Sequence, residues 1–353
     1  MRAAAAFESI APWLKTYSVY CASFVTAQEK LDRLRGESAE VDKACREIGF
    51  LVVSGHGVPE KLIADLHAMS DAYFGLPHWE KMRHKLPADR LRGYSPSESH
   101  SLAYSMDEEM PTDLRESFNT GPFDHPFDEY HFGAAGAPYF PPNIWPDRPG
   151  NMRELCENYY REMETLAGTL MRIFALGLGL DENFFEDKID RHITCFCINH
   201  YPAQPDAPKP NQLRGGAHCD YGSLTIVHTD TDIGGLQVLR KDGEWETVPH
   251  IPGAFNINIG DLMADWTNDQ WVSTMHRVTN PPREAAHLSK TSMLFFHQPN
   301  YDAPVECLAN CHGPDNPPKY APITSGEHLT RKFEKLRAPE FESTFESSAI
   351  SSE

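Results

Sequence analysis

Apolar residues recur at steps of three and four along residues 151–177. Met152, Leu155, Tyr159, Met163, Leu166, Leu170 and Ile173 fall on one side of a helical projection, which predicts a long helix with a single buried stripe. A shorter run with the same period, Leu62, Leu66, Met69 and Tyr73, predicts a second helix that starts with Pro59 at its first position and stops near Gly75-Leu76-Pro77. Upstream, residues 38–47 read as a helix feeding a strand over 49–53, closed by Gly55-His56-Gly57-Val58-Pro59. Beyond Arg191 the period drops to two. Phe255, Ile257 and Ile259 alternate with Asn256 and Asn258, and short strands are predicted over 193–201, 216–229, 236–239, 245–248, 254–259, 271–278 and 291–297, with Asp242-Gly243 as a hairpin turn.

Many short strands punctuated by turns predict an all-β core with helical support, an α+β chain. Its expected architecture is a double-sheet jelly roll. Three regions follow. Residues 1–150 form an N-terminal helical and strand region that completes the core and the substrate pocket. Residues 151–337 hold the scaffold helix and the jelly-roll core, with a last helix over 326–336. Residues 338–353, rich in Ser and Glu, form a disordered tail. Residues 133–150, rich in Gly and Pro, read as an exposed connection.

Composition narrows the functional classes. A chain of 353 residues with 40% hydrophobic and 24% charged side chains can bury a large core. Its net charge of -19 repels phosphate backbones and anionic lipid, and no basic cluster offsets it. Neither nucleic acid nor membrane is expected as a partner; a small molecule is. No GxGxxG stretch supports a dinucleotide fold. Eight cysteines at positions 21, 45, 156, 195, 197, 219, 307 and 311 make no CxxC pair, which fits a reducing compartment. The opening Met1-Arg2 and four alanines have the composition of a targeting segment, but Glu8 and Lys15 interrupt it. The expected location is therefore cytoplasmic.

The chemistry centres on residues 215–227. If this stretch is extended, His218 and Asp220 project to one face while Cys219 points away. Such a triplet is common by chance, so the second imidazole matters. His276, within the strand-like run 272–278, would complete the set of two histidines and one carboxylate that holds non-haem Fe(II) with three open positions. A structural metal site in a non-catalytic jelly-roll binding protein is the competing reading, but such sites close with four ligands and only three are evident. On a strand, Lys290 and Ser292 share a face where an ammonium and a hydroxyl suit a carboxylate. Arg90, Arg92, Tyr94 and Arg115, in a polar and turn-rich region, are candidates for substrate contact, against the plainer alternative of surface charge and packing.

Gly49-Phe50, Gly55-His56-Gly57-Val58-Pro59, Arg92-Gly93-Tyr94, Asn199-His200-Tyr201, the His218/Asp220/His276 set, Gly260-Asp261 and Phe295-Phe296 occur in one order. Together they resemble the isopenicillin N synthase-like branch of the Fe(II)- and 2-oxoglutarate-dependent dioxygenases, over about residues 41–336. The resemblance implies a distorted double-stranded β-helix core with N-terminal helices packed on it, and iron held by His218, Asp220 and His276, with 2-oxoglutarate as co-substrate and Asn199 and Tyr201 near it. It also implies O2 consumption and oxidative decarboxylation to succinate, coupled to C–H oxidation of a small metabolite by hydroxylation, desaturation or ring closure; a carboxylate on that metabolite is the expectation that Arg90, Arg92 and Arg115 raise. One position departs from the pattern. Where the family has Arg-x-Ser to grip the distal carboxylate, this chain has Lys290-Thr291-Ser292. Lysine keeps the charge but lacks the planar fork, which implies a looser grip. The alternative within the same fold is an isopenicillin N synthase-like or ethylene-forming-type oxidase, in which Lys290 and Ser292 bind a substrate carboxylate or an atypically bound 2-oxo acid. Arg277, beside His276, is expected to face the other way.

Overall fold

The computed structural model describes residues 18–20 and 38–334, apart from 88–90, 100, 104–109 and 232. Arg90 and the tail beyond 338 lie outside the described residues. Strand β1 (Ser18–Tyr20) is followed by helix α1 (residues 38–47), β2 (Phe50–Ser54) and α2 (Glu60–Phe74). Then come β3 (Gly93–Ser95), β4 (Glu116–Thr120) and the long helix α3 (Met152–Gly177). The C-terminal part supplies β5 (Cys195–Tyr201), β6 (Gly215–His218), β7 (Leu224–Thr229), β8 (Leu236–Leu239), β9 (Trp245–Thr247) and β10 (Phe255–Ile259). Helix α4 (Asp261–Trp266), β11 (His276–Val278), β12 (Lys290–His297) and α5 (residues 325–334) follow.

The strands form two facing layers. The major sheet has the order β1-β2-β10-β7-β12-β5-β4-β3 and the minor sheet β6-β11-β8-β9. Strands from before residue 121 thus extend both edges of the major sheet. Its two faces differ in chemistry, and register shows how. Met293 pairs with Ile198, and Ile198 with Phe118, while Ser292 pairs with Asn199 and with Thr229. Alternation therefore puts Met293, Phe295, Phe196, Ile198 and Phe118 on one side, where they are buried. That side carries the predicted helices. Tyr159 of α3 packs on Phe196 at 5.1 Å between ring centroids, Tyr160 on Phe295 at 5.0 Å, and Tyr73 of α2 on Phe118 at 5.1 Å. Each such side chain contributes about 1.5–3 kcal/mol by leaving water. The opposite face, with Asn199, Ser292, Thr229 and Lys290, is polar, and it is this face that lines the site.

Three elements differ from their predicted form. Pro59 stands at the N-cap of α2, so the helix begins at Glu60. The predicted strand over 216–229 is broken: β6 ends at His218 and β7 begins at Leu224, in a different sheet. The predicted strand over 271–278 shrinks to His276–Val278. Helix α4 has no counterpart among the predicted elements, because one and a half turns are too short to show a period.

Candidate active site

The break after His218 builds the centre of the site. Residues 219–223 cross from the minor to the major sheet, and the first turn of α4 receives them. The amide of Asp261 donates to the Asp220 carbonyl at 2.8 Å, that of Leu262 to Gly222 at 3.1 Å, and that of Gly260 to Ser223 at 3.1 Å. These are amides that a helix start leaves without internal partners. The backbones come so close that a Cβ on Gly222 would sit 2.2 Å from the His297 carbonyl oxygen, and one on Gly260 2.2 Å from that of Gly222. Gly222→Ala is expected to destabilise the protein by about 1–3 kcal/mol, seen as a lowered melting temperature, because backbone has to move.

Asp220 therefore meets His218 across a turn rather than along one strand face. His276 arrives from β11, paired with His218 in antiparallel register. The two imidazole centroids are 4.3 Å apart, and Asp220 Oδ1 lies 3.6 Å from His218 Nε2 and 3.9 Å from His276 Nε2. One donor atom from each residue falls within 4.8 Å of the others, and all three residues are buried. A bulge in β6, where the step from His276 to Val278 on β11 spans the longer step from His218 to Gly215, sets the angle of His218.

The surroundings fix which atoms face inward. His218 Nδ1 contacts the Gly216 carbonyl at 2.9 Å and His276 Nδ1 the Thr274 carbonyl at 3.0 Å. A carbonyl accepts only, so each Nδ1 carries a proton, and Nε2 is the ring atom left to serve as a metal donor. Burial, with the neighbouring His276 imidazole, pushes the His218 pKa down to about 3, which keeps it neutral. On Asp220, burial acts upward, but His276, His218 and two hydrogen bonds outweigh it and hold the carboxyl below its usual range. Thr225 Oγ1 and Asn258 Nδ2 donate to Asp220 Oδ2 at 2.5 and 2.6 Å, which leaves Oδ1 turned toward the histidines. Two imidazoles and one oriented carboxylate suit a first-row divalent cation such as Fe(II). Asn258→Ala is expected to weaken metal binding about tenfold, because Thr225 still holds the carboxylate; titration with Fe(II) or Mn(II) measures it.

The other predicted residues divide. Asn199 and Tyr201 share the polar face, with Asn199 Nδ2 3.5 Å from the Tyr201 hydroxyl. Ser292 pairs with Asn199, and Lys290 pairs with Tyr201, its Nζ donating to the Gly234 carbonyl at 3.2 Å. Arg115, just before β4, donates to Asn199 Oδ1 at 2.9 Å and lies 3.5 Å from Asp113. Arg92 and Tyr94, expected as substrate contacts, belong elsewhere. The Tyr94 hydroxyl donates to Glu116, which Lys81 also pairs at 2.6 Å, and its ring sits with Tyr73 and Phe118 on the helix-covered face. Strand alternation puts it there, since Tyr94 pairs with Phe118. The Arg92 guanidinium packs on Gly121 and donates to the carbonyls of Leu91 and Tyr139. Arg277 faces away from the centre, over the Trp245 ring at 4.0 Å.

Asn258 and Thr225 carried no predicted role. The alternation of Asn256 and Asn258 with apolar residues was the available signal, since asparagine on a central strand needs a partner. Arg214, fully buried beside Tyr201, was also missed.

Comparison with known proteins agrees with this geometry. Residues 192–299 match the 2OG-Fe(II) oxygenase superfamily, and residues 24–148 match the N-terminal region of non-haem dioxygenases in morphine synthesis. A homoarginine-6-hydroxylase of Oryza sativa subsp. japonica is 34% identical over 299 residues, 83% of this chain and 87% of its own. The validamycin A dioxygenase of Streptomyces hygroscopicus subsp. limoneus is 30% identical over 278 residues, 78% of this chain and 75% of its own. Among solved structures, a full-length Neurospora crassa protein in complex with α-ketoglutarate superposes with a TM-score of 0.74 at 26% identity, over 89% of this chain and 94% of that one. With the relatives and the site pointing to the same chemistry, the chain belongs to the 2-oxoglutarate- and Fe(II)-dependent oxygenase superfamily and is a dioxygenase of that kind.

Proposed function

We propose that this dioxygenase oxidises a C–H bond of a small, carboxylate-bearing metabolite, with His218, Asp220 and His276 as the iron ligands. Iron bound there supplies O2 activation coupled to oxidative decarboxylation of 2-oxoglutarate to succinate and CO2. The chain's own residues do the positioning. The Lys290 ammonium and the Ser292 hydroxyl bind the distal carboxylate of 2-oxoglutarate, and Asn199 and Tyr201 flank the co-substrate on the same sheet face. The surrounding protein keeps bulk water from a centre whose ligands are all buried.

The observation that carries the substrate class is Arg115. It is a largely buried guanidinium on the polar face, bonded to Asn199 and close enough to His218 to depress its basicity. In a chain of net charge -19, a cation held beside the reaction centre favours an anion there, even with Asp113 at 3.5 Å offsetting part of its charge. The rice relative's name refers to homoarginine, a small carboxylate-bearing amino acid. Among the described residues seven cysteines are unpaired, which supports a reducing, cytoplasmic setting, and a role in secondary or amino-acid-derived metabolism fits the relatives' names.

The test is a metabolite screen with Fe(II)-loaded protein, following product by mass spectrometry and succinate in parallel. Each hit is paired with its amide or methyl ester. Acids that are turned over with equimolar succinate, and whose neutral derivatives are not, are the expected result. Equal turnover of the neutral forms would remove the carboxylate requirement. Full turnover in buffer free of 2-oxoglutarate would favour the oxidase alternative, with Lys290 and Ser292 holding the substrate itself.

A further inference from the structure

Lys290 and Arg214 converge on a single backbone segment. Nζ of Lys290 donates to the carbonyl of Gly234 at 3.2 Å, and Nη1 of Arg214 donates to the carbonyl of Ile233, the preceding residue, at 2.8 Å. Nη2 of Arg214 reaches the carbonyl of Leu288 at 3.2 Å, two residues before Lys290. The guanidinium carbon lies 5.8 Å from the ring centre of Tyr201, which is the cross-strand partner of Lys290. Gly234 has a positive φ of 68°, and a Cβ there would sit 2.6 Å from Nη1, so the turn is shaped around the guanidinium.

This arginine is in an expensive position. It is 0% exposed, and its Nε is buried with no hydrogen-bond partner among the described residues. Among the described residues, no carboxylate forms an ion pair with it within 4.0 Å. Asp230 acts on both cations, and the Thr291 amide already donates to both of its oxygens at 3.2 Å. A buried guanidinium bonded, among the described residues, to neutral carbonyls alone is undercompensated. An anion at this end of the polar face would complete it.

We propose that Arg214 is a second cationic determinant of the co-substrate's distal-carboxylate site. It holds the segments 233–234 and 288–290 so that Lys290 is pre-positioned, and it supplies the positive potential that a lone ammonium would deliver less well. The proposal rests on the reading that Lys290 and Ser292 receive that carboxylate. It accounts for lysine at a place where the family has arginine: the fork is replaced by a point charge backed by a fixed guanidinium from β6's N-terminal flank.

The test uses binding rather than turnover. Dissociation constants for 2-oxoglutarate and for oxalate, which lacks a distal carboxylate, are measured by calorimetry on Mn(II)-loaded full-length protein. Arg214→Gln is expected to weaken 2-oxoglutarate about tenfold or more while leaving oxalate within twofold, on a protein with unchanged Mn(II) stoichiometry. Arg214→Lys keeps the charge but not the two carbonyl bonds together, and serves if the glutamine variant does not fold. It is expected to lose several-fold in 2-oxoglutarate affinity and none in oxalate. Unchanged 2-oxoglutarate binding in a folded Arg214 variant, or an equal loss for oxalate, overturns the proposal. Lys290→Ala separates the two ideas: if it too leaves 2-oxoglutarate binding unchanged, the underlying assignment of the carboxylate site is what fails.

Discussion

His276→Ala is expected to lose at least about a thousandfold in substrate-dependent succinate formation, together with most bound iron. Three donors converge within 4.8 Å, and removing one leaves a bidentate pair that cannot define an octahedral face. Iron content by atomic absorption, read beside succinate release, gives the answer. A variant that retains stoichiometric iron and full succinate formation would exclude His276 as a ligand. Its fold should survive, because His276 lies on the minor sheet facing the site and not beneath the helices, and circular dichroism checks this.

Lys290→Ala is expected to raise the KM for 2-oxoglutarate roughly 30- to 100-fold, with iron content unchanged. A charge-assisted hydrogen bond in a buried setting contributes about 1.5–3 kcal/mol, and Lys290 is 4% exposed. Because the Ser292 hydroxyl remains, some binding should persist. kcat at saturating 2-oxoglutarate should fall much less, since the contact proposed for the lysine is with the co-substrate's far end and not the reacting carbon. An unchanged KM would make Lys290 a structural residue bonded to Gly234.

Both variants test residues that are legible in the sequence alone. Histidine and carboxylate types at 218, 220 and 276, and an ammonium two residues from a hydroxyl at 290 and 292, are chemistry that side chains carry regardless of fold. The helices are equally legible. The stripe from Met152 to Ile173 is long enough for its period to be unmistakable, and it buries the residues the period selects, with Leu155 at its margin. Short elements are not legible in this way. Residues 216–229 look like one strand because of the β-branched run after Ser223, and nothing local reports that Gly222 is pressed against His297 and Gly260. Arg92, Tyr94 and Arg115 look alike on paper, yet strand register sends Tyr94 under α2 while Arg115 reaches Asn199.

The sequence by itself determined the donor types, their order, the acidic surface and the division into a helical front and a strand-rich back. It could do so because composition and periodicity are properties of short stretches of chain. Only the tertiary structure decided that Asp220 approaches across a turn between sheets, that Asn258 and Thr225 orient it, and that Arg214 stands behind Lys290. Those facts depend on segments far apart in the chain being pressed together, and close packing selects such neighbours by shape and by unsatisfied hydrogen bonds, neither of which is written in any one stretch.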